Sequence, residues 1–169
     1  MKKITFPILA LLLITGISCQ ETIDIEKEKE AIIKVVQEEA DSFYDRDIDR
    51  FLGIWVQDET LSRIDVGKNG YGYVIGWEEI EPTIRNFFEN NPEPVTVNMI
   101  RTNYEIKVFK ETAWATFNEQ NGPDGRVQQK VEFLEKVEGE WKIGYIIIIG
   151  VSSYDEEVVE EEGESEAEE

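Results

Sequence analysis

The chain has 169 residues, with 17 Lys and Arg against 37 Asp and Glu, a formal charge of −20, no histidine and one cysteine. The missing histidine removes Ser-His-Asp and Cys-His couples and His-liganded zinc, and a lone Cys closes no intrachain disulfide. The charge repels phosphate backbones, which excludes nucleic acid as a partner, and no residue set asks for a metal or cofactor.

Residues 1–18 read as a targeting segment. Lys2 and Lys3 precede an apolar run from Ile4 to Ile14, too short for a bilayer span of about 20 residues. Gly16-Ile17-Ser18 then leads into Cys19, the only cysteine. This resembles a bacterial lipoprotein signal peptide, with Gly16 where Leu is commonest. The resemblance implies that Cys19 becomes the lipidated N-terminus and that residues 19–25 form a short tether. Each buried CH₂ contributes about 0.8 kcal/mol, and more than one acyl chain is needed for firm attachment. The expected location is the bacterial cell envelope, anchored in the membrane through Cys19. Gln20, rather than Asp, favours the outer membrane over the inner.

Residues 26–153 carry the periodicity of one domain. Ile25, Ile32, Val36, Ala40 and Phe43 recur at helical steps. Asp47 is the expected N-cap of a short second helix through Ile48, Phe51, Leu52 and Trp55. Residues 60–66 and 71–75 are extended runs split by Gly67-Lys68-Asn69-Gly70, and Trp77, Ile80, Ile84, Phe87 and Phe88 restore helical spacing, with Pro82 inside it. Four β-rich segments follow, 95–110, 112–120, 127–137 and 141–153, joined by short connections typical of an antiparallel meander. Residues 154–169 are an acidic tail expected to be disordered; Asp155 to Glu169 holds ten acids and no base. The fold class is α+β, one curved antiparallel sheet backed by helices.

The last strand is apolar on both faces. Strict alternation puts Ile143, Tyr145, Ile147 and Ile149 on one side and Ile146 and Ile148 on the other. An antiparallel sheet with a solvated face carries polar residues there, so a second subunit is the simplest cover and a homodimer is expected.

The order of these elements resembles the NTF2-like (SnoaL-like, cystatin-like α+β) superfamily. Phe43-Tyr44-Asp45-Arg46-Asp47-Ile48-Asp49-Arg50-Phe51 is similar to its opening helix and turn. Gly76-Trp77-Glu78-Glu79-Ile80 resembles the G-x-x-x-I entry to its third helix, and Gly139-Glu140-Trp141-Lys142-Ile143 its late hairpin. The resemblance implies a cone enclosing a cavity between sheet and helices, often dimeric through the sheet's outer face. It does not select among the isomerases, cyclases, dehydratases and binding domains of the superfamily. Many relatives carry a histidine in the last strand, where this chain has Tyr145-Ile146-Ile147-Ile148-Ile149.

Catalysis without histidine would rest on a carboxylate and a Tyr hydroxyl in a dry pocket. Asp65, Glu119 and Glu132 are the carboxylate candidates, with Tyr44, Tyr73 and Tyr145 as hydroxyls. Each also has an ordinary reading: Asp65 as the rim partner of Arg63, Glu132 as a cross-strand partner of Lys130, Glu119 as a solvated residue before a turn. Tyr44, Trp55, Tyr73, Trp77, Trp114, Phe117 and Tyr145 are the expected pocket lining. The leading expectation is a lipid-anchored, non-catalytic domain that binds a small apolar or amphipathic ligand or dimerises. The alternative is a small-molecule isomerase or cyclase using Asp65 or Glu119 with Tyr44.

Overall fold

The computed structural model describes residues 23–68, 70–123 and 125–150. The signal segment, Cys19 and the acidic tail lie outside the described residues. Helix α1 (Ile25–Asp45) starts at Asp24, whose side chain accepts from Lys27 N at 3.2 Å, and ends at Arg46 in the left-handed region. Its apolar stripe buries Ile32, Val36 and Ala40. Asp47 caps α2 (Ile48–Gly53) by accepting from Arg50 N at 3.1 Å. That helix buries Phe51 and Leu52, at about 1.5–3 kcal/mol for each side chain removed from water.

Strands β1 (Ser62–Gly67) and β2 (Gly70–Ile75) form a hairpin, and α3 (Trp77–Asn90) follows. Gly76 stands at the N-cap of α3 with φ 86 and ψ 141, a conformation that only glycine adopts without strain. Pro82 sits within α3, and the helix runs on through it to Asn90. Strands β3 (Met99–Val108), β4 (Thr112–Asn121), β5 (Gln128–Val137) and β6 (Glu140–Gly150) then make a meander. Glu138 (φ 54) and Gly139 (φ 87) turn β5 into β6, the positive-φ pair that a tight hairpin needs.

The six strands are ordered β2-β1-β6-β5-β4-β3 in a curved, unclosed sheet. The sheet is mixed rather than wholly antiparallel, because β1 pairs with β6 in parallel: chain exiting α2 reaches the sheet beside the last strand, running the same way. Helices and inner sheet face enclose a core that includes Phe51, Leu61, Phe117, Leu134, Ile143 and Ile146.

A bulge at Gly144 corrects the expected faces of β6. Phe133 pairs with Tyr145 but Leu134 pairs with Ile143, so Gly144 is the extra residue. Ile143, Ile146 and Ile148 therefore share the inner face, while Tyr145, Ile147 and Ile149 turn outward. Glycine suits the site, since a Cβ there would stand 3.3 Å from the Glu135 carboxylate.

Candidate functional site

The strand register places Arg63 and Asp65 of β1 on the inner face, opposite Ile146 and Ile148, with Val74 of β2 beside them. Across from them α3 presents Ile80, Thr83, Ile84, Phe87 and Phe88. Between these elements, with Phe43 and Phe51 closing the side, lies an apolar cavity of about 320 Å³. This is within the size range of small-molecule sites, roughly 300–1,000 Å³. Phe43 packs face to face with Phe87, ring centroids 5.2 Å apart, and edge-on to Phe88 at 5.7 Å. Arg46, held by its αL backbone, lays its guanidinium over the Phe43 and Phe87 rings at 4.9 and 5.1 Å.

A smaller polar compartment of about 160 Å³ adjoins this cavity, sharing Phe43, Arg63 and Asp65 with it. Its remaining wall includes Glu39 and Tyr44 of α1, Glu119 of β4, and Gln128 and Lys130 of β5. Lys130 is buried and bridges two acids, Glu39 Oε2 at 2.8 Å and Glu119 Oε1 at 2.9 Å. The second oxygen of Glu119 accepts from Arg101 Nε at 2.9 Å, and Arg101 reaches Asp41 at 3.3 Å. Burial works against the Lys130 charge, but Glu39 and Glu119 overcome it and hold its pKa above the ordinary lysine value. Arg63 grips both oxygens of Asp65, at 2.8 and 2.9 Å.

Below this network lies Glu132, fully buried between Ala115 and Ile146, with no hydrogen-bond partner for either carboxyl oxygen. Burial first, and the Glu39 charge second, push its pKa well above 4.5 and favour the neutral acid. Tyr104 lies on the same inner layer, stacked on Phe117 at 5.3 Å, and its hydroxyl also lacks a partner. Burial raises the pKa of Tyr104 and of Tyr44, so both hydroxyls stay protonated.

The expected candidates separate clearly on this frame. Asp65, Glu119 and Tyr44 do meet at the polar compartment. Glu119 is only 4 % exposed, held between Arg101 and Lys130; the solvated placement is corrected. Glu132 is not a partner of Lys130, which bonds Glu39 and Glu119 instead. Of the other expected lining residues, Tyr73 is 54 % exposed on the outer face, and Tyr145 packs edge-on against Phe133 there because of the Gly144 bulge. Trp114 also faces outward, with Lys107 over its ring at 5.4 Å, and borders a separate groove with Phe109 and Phe133. Trp55 is a core residue against Phe51, and Trp77 packs on the core at the start of α3. Phe117 is buried beneath the compartment rather than in its wall.

Two sets of residues escaped sequence reasoning. Glu39 lies three residues after Val36 and four before Phe43, so its helical position already marked the buried face. Arg101 and Tyr104 flank a register shift in β3, where Asn103 has φ 57, and no local pattern announces it. Among the described residues no group of Asp, Glu, His and Cys is arranged to hold a metal ion, and no helix is long and apolar enough to cross a membrane.

The SnoaL-like domain model matches residues 32–147, from the first buried turn of α1 into β6. The chain belongs to the SnoaL-like domain family. Solved structures agree on the fold. An NTF2-like protein of unknown function from Shewanella baltica superposes with a TM-score of 0.58 at 17% identity, covering 78% of this chain and 99% of its own. An NTF2-like protein from Cytophaga hutchinsonii gives 0.58 at 12% identity, covering 73% and 98%. A candidate dehydratase of the NTF2-like family from Streptomyces avermitilis gives 0.58 at 14% identity, covering 75% and 97%. No curated protein matches the chain. The expected α+β cone and superfamily are thus the observed ones; at these identities the likeness to the solved structures concerns the fold alone.

Proposed function

We propose that this SnoaL-like domain is a binding module that holds a small apolar or amphipathic molecule between α3 and the inner sheet face. The observation that carries the reading is the joining of an apolar cavity to a charged compartment at Phe43, Arg63 and Asp65. An apolar body fits against Ile80, Ile84 and Phe88, and a polar end meets Tyr44 and the charged wall. Binding rather than catalysis is favoured because both oxygens of Asp65 and of Glu119 are engaged by cations, leaving neither acid free to take a proton from carbon. The uncharged fluorophore N-phenyl-1-naphthylamine should show a saturable rise in emission with the protein. Ile84→Trp, which fills the cavity, should abolish it; an unsaturable signal, or one indifferent to Ile84→Trp, would count against the site.

The same proposal has the domain paired with a second copy and held at the envelope. On the outer sheet face the register lines up Tyr73, Ile64, Ile147 and Val131 in one row, and Tyr145, Phe133 and Trp114 in the next. Such a continuous apolar face favours a partner of the same surface. Phe133, 48 % exposed, lies within it, and Phe133→Glu should convert a dimer to a monomer in sedimentation equilibrium. Lipid on Cys19 is the proposed tether, with the outer membrane preferred; palmitate should label the wild-type chain and spare Cys19→Ala.

A further inference from the structure

The charge of the compartment extends the binding reading, on which this inference rests, to the chemistry of the ligand. We infer that the cleft takes an apolar molecule ending in a protonated amine. Three carboxylates line the polar compartment, Glu39, Asp65 and Glu119, against the two cations Arg63 and Lys130. Those cations are already committed: Arg63 donates through Nε and Nη2 to Asp65, and Lys130 donates to Glu39 and Glu119. By contrast, Glu39 Oε1 takes no hydrogen bond among the described residues, although Glu39 is 5 % exposed and lines the cleft.

An incoming carboxylate would compete with Asp65 for Arg63 or with Glu39 and Glu119 for Lys130, and breaking either pair leaves a carboxylate of the protein without its counter-ion. Even the remaining Arg63 donor lies under the field of Glu39 as well as Asp65. An ammonium meets the opposite situation, a lining of three carboxylates against two cations with the Tyr44 ring in the same wall. Long-range attraction works in the same direction, because the chain carries −20 and draws cations toward it.

The test is a matched series on the full chain, followed by calorimetry: 1-naphthylmethylamine, 1-naphthalenemethanol and 1-naphthoate. The three share an aromatic body and differ in the charge of one end. At low salt the amine should bind at least about ten-fold more tightly than the carboxylate, with the alcohol between them. Added salt should narrow the gap. Asp65→Asn, at a half-exposed position where the fold is little at risk, should reduce the preference for the amine. If the carboxylate binds as well as the amine, the charge assignment is overturned while the cleft remains a binding site. If none of the three saturates, the binding reading itself is overturned, and this inference with it.

Discussion

Glu132 gives the sharpest test of the buried network. Its carboxyl is completely enclosed with no partner for either oxygen, and burial and the Glu39 charge hold its proton in place. In the unfolded chain the same group titrates near 4.5. Above that pH the unfolded state releases the proton while the folded state keeps it, so the folded state binds more protons. The derivative of unfolding free energy with pH is then negative. One extra bound proton corresponds to a loss of up to about 1.4 kcal/mol per pH unit, beginning near the ordinary carboxylate value and continuing until the native carboxyl itself ionises. Glu132→Gln keeps the size and the amide's neutral polarity but has no proton to lose.

The assay is urea denaturation of wild type and Glu132→Gln at intervals from pH 5 to 8. Glu39, Glu119, Lys130 and Arg101 surround the site from α1, β4, β5 and β3, and are common to both proteins. Their titration cancels in the difference. The stability gap should open in favour of Glu132→Gln as pH rises, with a slope approaching 1.4 kcal/mol per unit. Glu132→Leu should add about 1–3 kcal/mol by removing unsatisfied polar atoms. Parallel stability curves across the range would refute the claim that this acid is buried as a neutral, unpartnered group.

Three further outcomes follow from other parts of the structure. Lys130→Met removes the shared cation of Glu39 and Glu119, and should cost about 3–5 kcal/mol in urea denaturation at pH 7, because buried Glu39 loses its counter-charge and Glu119 keeps only Arg101. Gly76→Ala should cost about 1–3 kcal/mol from backbone strain alone; the nearest atom to a Cβ is 3.8 Å away, so no clash contributes, and a neutral effect in thermal melts would contradict the positive φ. Phe88→Ala should lose about 3–5 kcal/mol by emptying the aromatic cluster with Phe43 and Phe51, whose centroids lie 5.7 and 5.5 Å away.

The elements that were legible in the sequence are those written by local rules. The stripe Ile32, Val36, Ala40 and Phe43 has only one helical solution, Asp47 caps as its type and place require, and Gly76 and Gly139 stand where positive φ demands them. The candidate site was legible only in part because β5 inverts the usual rule. It buries Lys130 and Glu132 and turns Val131 and Phe133 outward, so the charged positions look like a solvated face until the partner of Lys130 is known. That partner is Glu39, 91 residues away, and no spacing along β5 points to it. The Gly144 bulge adds a second loss: one extra residue in β6 reverses every later face assignment, which is how Tyr145 moves from the cleft to the outside.

The division of properties among the acids bears directly on function. Proton abstraction requires one carboxylate with a raised affinity for protons, a free lone pair and access to the substrate. In this domain those requirements fall on different residues. Glu132 holds its proton tightly but is sealed beneath the sheet's inner layer. Asp65 and Glu119 reach the cleft, but each has both oxygens tied to a cation. The same pairing fixes the side chains of the polar wall before any ligand arrives, so little ordering cost is left for binding. Glu132→Gln should therefore leave the affinity for N-phenyl-1-naphthylamine unchanged while altering the pH dependence of stability. A loss of affinity in that variant would mean that the buried acid and the cleft act as one unit, and would reopen the catalytic alternative.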